Sequence, residues 1–145
     1  MSVPADEAGA PAVASSRRAH GQLILCQGCC CGRTDRGFPE VPIDSLKKAW
    51  KAGRLNRTVQ LTVSGCVGPC DVANVVVVVT AEGTSWFGRL DTAHYEALVA
   101  WAESCHAVGA ILPLPADLSA RRFDWFVGAP GASHAAAAEP GSLAP

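Results

Sequence analysis

An α/β domain with a four-stranded mixed sheet and two to three helices is the fold class this sequence predicts. Apolar stretches of strand length alternate with stretches of helical period in the order β, cysteine loop, α, β, cysteine loop, β, β, α. One of them, Val75 to Val79, is five consecutive valines, which read as a central strand because β-branched side chains pack on a buried pleated surface. Each cysteine loop follows a predicted strand directly, and loops leaving the strand C-termini of an open α/β sheet gather at one edge, where such folds place ligands.

The elements are justified in chain order. Residues 1–20 are rich in Ala, Gly, Pro and Ser, lack apolar periodicity and read as a disordered tail. Gln22 to Cys26, "QLILC", is a short apolar run suited to a buried strand. In "VPIDSLKKAWKAG", Ile43, Leu46 and Trp50 share one helical face, Lys47, Lys48 and Lys51 cover the other, and Gly53 stands where a C-terminal cap belongs. Val59 to Val63, "VQLTV", alternates as a half-buried strand does. After the valine strand, "TAEGT" turns the chain into "SWFGRL", a hairpin partner. Asp91 is the N-cap of a last helix carrying Tyr95, Leu98, Val99 and Ala102 on one face.

A β-α-β opening and a β-β-α ending on one sheet is the outline of a thioredoxin-like fold, here over residues 21–107. Residues 108–128 form an extension in which Leu118, Arg121, Arg122, Phe123 and Trp125 either pack back on the domain or stay loose. Residues 129–145 read as a second disordered tail, with His134 a solvated side chain.

Bulk composition narrows the function. Apolar residues make up 49% and aromatics only 6%, so Val, Leu, Ile and Ala must build the core. The net charge of −1 argues against a nucleic-acid binder that relies on attraction to phosphate. No run approaches the roughly 18 apolar residues of a membrane span. Arg17 and Arg18 suggest a twin-arginine export signal, but only "AHGQLIL" follows before the cysteines, too short for its apolar stretch. The expected compartment is therefore the cytoplasm, where structural disulfides are rare, and clustered cysteines there serve as metal ligands or redox groups.

Four of the seven cysteines crowd into "CQGCCC", residues 26–31, and Cys66 and Cys70 bracket "VGP" in the second loop. Four thiolates at one sheet edge suit either Zn²⁺ or a [2Fe–2S] cluster. Gly28, Gly32, Gly65 and Gly68 let the backbone curl so that N–H groups approach a buried anionic centre, and Pro69 stiffens the turn before Cys70. The same glycines also serve as ordinary loop punctuation.

The C-x4-C pair, "SGCVGPC" and the apolar strand after it resemble the thioredoxin-like [2Fe–2S] ferredoxins, and are similar to the small iron–sulfur subunit of NADH dehydrogenases and hydrogenases. The likeness covers about residues 21–107, with "WFGRL" resembling the hairpin strand before the last helix of the free ferredoxins. It implies that Cys26, Cys31, Cys66 and Cys70 ligate a [2Fe–2S] cluster, with Cys30 and then Cys29 as alternative second ligands. More narrowly, "CQGCCCGRTDRG" with "VQLTVSGCVGPCDVANVVVVV" resembles small ferredoxin-domain proteins associated with cobalt chelation and the cobalamin pathway. The function implied is one-electron transfer without turnover of its own. The partner implied is a redox protein, either a reductase or a corrinoid-pathway enzyme. Members of this fold form dimers, so a homodimer is compatible with the sequence. Chelation itself finds little support, because the histidines at 20, 94, 106 and 134 are scattered.

Two other chemistries remain open. Structural zinc can use Cys26 and Cys29 with Cys66 and Cys70, although the interval between the pairs is longer than in a zinc ribbon. A dithiol oxidoreductase needs a C-x-x-C at a helix N-terminus, whereas here a Gly/Pro loop follows the cysteines. Cys105 reads as a buried structural thiol, and Trp50, Trp86 and Trp101 as core. Charge is uneven. Arg33, Arg36, Lys47, Lys48, Lys51, Arg54 and Arg57 face Asp35, Glu40 and Asp44, a balance of +4. That pattern is either a solvated helix face or a basic rim that steers an acidic redox partner.

Overall fold

The computed structural model describes residues 11–28 and 30–128. The disorder expected for residues 1–10 and 129–145, His134 among them, lies outside the described residues, as does Cys29. Residues 11–20 are exposed and carry no helix or strand.

Strand β1 (Gly21–Cys26) leads through the first cysteine loop to helix α1 (Ile43–Gly53), then strand β2 (Val59–Ser64) leads through the second cysteine loop to strand β3 (Val76–Thr80). Strand β4 (Gly83–Phe87), helix α2 (Thr92–Val108), the short helix α3 (Ala116–Ser119) and strand β5 (Arg122–Phe123) complete the chain. The sheet order is β2-β1-β3-β4-β5. β1 and β2 are parallel, and β3, β4 and β5 each pair antiparallel to their neighbours. The first four strands and the two long helices reproduce the expected thioredoxin-like outline. The sheet departs from four strands only through the two-residue β5, which the extension contributes.

Register divides the sheet into two faces. Leu23 and Leu25 share a face with Val78, Val76 and Phe87, and Gly21 pairs with Val59. Leu23, Leu25, Val59, Val76 and Phe87 are all essentially inaccessible to solvent. Both long helices cover this face, with Leu46 and Trp50 of α1 and Tyr95, Leu98 and Ala102 of α2 buried as the helical period requires. The Trp50 indole N–H donates to the Val59 carbonyl at 2.7 Å, which ties α1 to the start of β2. The opposite face carries Ile24, Val77, Val79 and Trp86, with Phe123 of β5 against Trp86 at 6.4 Å between ring centroids.

Asp91 caps α2 as expected, accepting from the Ala93 and His94 N–H groups, while the His94 ring accepts from the Asp91 N–H to complete a capping box. At the end of α1 the left-handed cap is Arg54, at φ 54°, and not Gly53. Gly53 is the last helical residue, and a Cβ there would stand 2.9 Å from the Leu55 side chain, so glycine is required for close approach. Among the described residues no helix is long and apolar enough to cross a membrane.

Burial pushes the Cys105 thiol up, against the opposing Leu112 N–H that its sulfur accepts at 3.3 Å. Burial pushes the Tyr95 phenol up further, with the Cys31 and Cys26 sulfurs adding to it. A group whose pKa is raised by folding stabilises fully below its unfolded value and loses that contribution as pH rises above it. For Tyr95 the window therefore opens near pH 10, and this one group lowers stability by about 1.4 kcal/mol per pH unit beyond it. Urea midpoints measured from about pH 9 to 11 are expected to fall more steeply in the native chain than in Tyr95→Phe. Equal slopes would mean that the phenol ionises in the folded state.

Candidate metal centre

Parallel pairing of β1 and β2 runs in register from Gly21↔Val59 to Cys26↔Ser64, so both strands end together and release their cysteine loops side by side. The Gln27 N–H donates to the Ser64 carbonyl at 3.0 Å and extends the ladder by one step. Gly28 then rests against the second loop, where a Cβ would stand 3.4 Å from the Cys66 nitrogen. The first loop closes on itself through Gly28 N–H to Cys31 C=O and Arg33 N–H to Cys30 C=O, at 3.3 and 3.1 Å. The second turns at Gly68, whose φ of +126° suits glycine alone.

Cys26 and Cys31 are buried at 3% and 2% exposure, Cys70 is half-buried and Cys66 is exposed. Cys26 donates its thiol proton to Cys31. That bond holds Cys31 down at about 6 against the opposing effect of burial, helped by the Val75 and Asn74 N–H groups. The same bond, and then burial, pushes Cys26 well above the usual thiol range, while the Val67 N–H pulls it the other way. Cys66 is close enough for its charge to act on Cys26. The Val75 N–H donates to the Cys31 sulfur at 3.4 Å, and the Gly68 N–H to the Cys66 sulfur at 3.4 Å. One sulfur of each loop thus receives a backbone N–H, an environment suited to anionic sulfur. Cys70 is turned onto its own loop, its thiol donating to the Gly68 carbonyl at 3.5 Å. Among the described residues, no three Cys, His, Asp or Glu side chains stand at metal-site spacing. Of the four expected ligands, the fold therefore gathers Cys26 and Cys31 in contact and Cys66 beside them, with Cys70 on the facing turn.

Asn74 organises this edge. It is fully buried and left-handed at φ 56°, a conformation asparagine tolerates better than most residues. Its side-chain oxygen accepts from the Gly32 N–H at 2.6 Å, and its amide donates to the Pro39 and Leu90 carbonyls at 2.7 and 2.9 Å. The first cysteine loop, the segment before α1 and the entrance to α2 are thereby fastened to the residue preceding Val75. Sequence reasoning missed Asn74, although an asparagine abutting a five-valine strand is a signal of a buried polar group.

The surplus thiol Cys30 lies at the rim, with Arg36 Nη1 donating to its sulfur at 3.9 Å. Arg33 makes a two-pronged ion pair with Asp35 at 2.7 and 2.8 Å, which holds the Asp35 carboxyl below its ordinary range. Tyr95 is 1% exposed with an unpartnered hydroxyl, and it feels the Cys31 and Cys26 sulfurs.

No family model matches the chain, and no curated protein matches it in sequence. Among solved structures it is similar to the thioredoxin-like [2Fe–2S] ferredoxin from Aquifex aeolicus, at 19% identity and a TM-score of 0.41, over 66% of this chain and 93% of that one. A cysteine-to-serine variant of that ferredoxin matches at 20% identity and a TM-score of 0.38, over 61% and 88% of the two chains. The fold assignment itself rests on the strand order and register above.

Removing the Asn74 side chain takes a partner from the Gly32 N–H and from the Pro39 and Leu90 carbonyls, the Leu90 bond fully buried and the other two half-buried. Asn74→Gly keeps the left-handed backbone and is expected to lose about 3 kcal/mol of stability. Asn74→Leu is expected to lose about a further 1–2 kcal/mol through backbone strain. Denaturant unfolding checks the order, and a Gly variant as stable as the native chain would show that the three bonds contribute little.

Proposed function

We propose that the chain is a one-electron carrier holding a [2Fe–2S] cluster on Cys26, Cys31, Cys66 and Cys70. One observation carries the reading: in-register parallel strands set two cysteine loops side by side, with backbone N–H groups aimed at the Cys31 and Cys66 sulfurs, one from each loop. Four thiolates are the ligand set of such a cluster, and N–H···S bonds offset its negative charge. The donor set fits it in kind: Gly28 lets the two cysteine loops approach and Asn74 fixes the first loop, although the described sulfurs do not stand at ligating spacing. The cluster, when bound, supplies a reversible one-electron couple.

The roles of the chain follow from burial. Cys26 and Cys31 form an inner wall closed to water, and the exposed Cys66 marks the side from which a partner approaches. Arg36 at the rim stabilises added negative charge. The partner is proposed to be a reductase or another redox protein. Its assignment to corrinoid synthesis rests on the likeness of the two cysteine stretches.

A dithiol reading has one observation in its favour, the Cys26–Cys31 pair with Cys31 held near 6. Against it, both sulfurs are buried and closed to a partner's disulfide, and no helix begins at either.

Anaerobic purification followed by visible spectroscopy and metal analysis tests the proposal. About two irons and two sulfides per chain and a red-brown colour are expected. Colour should be lost in Cys26→Ser, Cys31→Ser and Cys66→Ser and retained in Cys29→Ser and Cys30→Ser. One zinc without colour would point to a structural site, and a metal-free protein to dithiol chemistry.

A further inference from the structure

The C-terminal extension returns to the cysteine edge. Leu118 of α3 is fully buried, the Gly88 N–H donates to the Arg121 carbonyl at 3.1 Å, and β5 pairs with β4 through Trp86↔Phe123 and Phe87↔Arg122. Beyond β5, Trp125 and Phe126 pack on Trp86 with ring centroids 6.2 and 5.5 Å away. Trp125 also reaches across to the second cysteine loop. At Gly68, between Cys66 and Cys70, a Cβ would stand 2.8 Å from the Trp125 ring, so a side chain there would push the indole off this turn. The ring remains 39% exposed, with one side on protein and the other toward solvent.

We infer that Trp125 is a positioning residue for the metal centre: its indole covers the Gly68 turn, fixes the half-buried Cys70 and keeps water from the outer side of the site. The inference rests on the cluster reading for its consequence but not for its geometry. On the outer side the half-buried Cys70 is the sulfur such a cover can shield, since Cys66 stays exposed beside it and Cys26 and Cys31 are enclosed by the core. A large aromatic surface laid on a backbone turn excludes water and restricts the turn together. The Gly68 N–H and C=O, which bond the Cys66 and Cys70 sulfurs, are the groups held still by it.

The test uses Trp125→Ala, Trp125→Phe and, as a control, Phe126→Ala, whose side chain packs on Trp86 in the same aromatic group. In the metal-free chain, alkylation of Cys70 by iodoacetamide, mapped by mass spectrometry, is expected to be several-fold faster in Trp125→Ala. It should be close to the native rate in Trp125→Phe and Phe126→Ala. In the iron-loaded chain, visible absorbance is expected to bleach several-fold faster in air for Trp125→Ala, with the phenylalanine variant restoring most of the lifetime. Urea unfolding of the metal-free variants checks that the fold persists. Native alkylation rates in a folded Trp125→Ala would overturn the inference, whether or not the chain binds iron. Faster alkylation with unchanged bleaching would overturn the shielding of the cluster. A native chain that binds no iron would sink the cluster reading and leave alkylation to decide the cover.

Discussion

Asn74 sits where every segment around the cysteine edge converges, and the arrangement depends on its side chain. Its oxygen and amide reach the backbone of Gly32 and Pro39 in the first loop segment and of Leu90 before the last long helix, points that no strand or helix connects. Backbone groups in such loops are costly when buried without partners, and one amide satisfies three of them. The left-handed turn at Asn74 then delivers the Val75 N–H to Cys31 as the valine strand begins. Fold and site thus share one buried polar group. The start of the valine strand and the anchoring of the first cysteine loop share the same three bonds.

The parallel pairing of β1 and β2 does the rest of the positioning. Parallel strands require a crossover, here the first cysteine loop and α1, and their C-termini must emerge at the same edge. Because the register runs Cys26↔Ser64, both loops begin at the same level, and Gly28 meets Cys66, each two residues past its strand. A one-residue slip would turn Leu23 and Leu25 out of the core. The hydrophobic pattern of β1 therefore fixes the placement of the cysteines, although none of its leucines touches the site's chemistry.

These relations explain what was legible in the sequence. Val75 to Val79 and the faces of the two long helices follow from local periodicity, and the structure places them within a residue or two of expectation. Asp91 is legible because a cap is local. The Arg54 cap was missed because Gly53, the obvious candidate, is needed for the tight approach of Leu55. Strand β5 and the Trp125 contact arise from pairing with β4 and from space above Gly68, neither of which leaves a periodic trace in "RRFDWFV". At the site, spacing singled out the cysteines, but their unequal burial depends on long-range packing.

That inequality bears on how charge meets the site. Arg33, counted in the basic rim, is paired within its own loop to Asp35 and contributes little net field. Arg36 remains beside Cys30. On the other side of the site, Arg89, Arg121 and Arg122 line a hollow of about 210 Å³ with Val72, in the short turn that begins at Cys70. One basic group therefore stands at the first cysteine loop and three more beside Val72, while Cys26 and Cys31 face the apolar core. A cluster held on these four cysteines would have a more polar surround at Cys66 and Cys70 than at the buried Cys26 and Cys31. Trp125 lies on the Gly68 turn between these two cysteines, so the C-terminal extension and the second cysteine loop meet at the side where Cys66 is open to solvent.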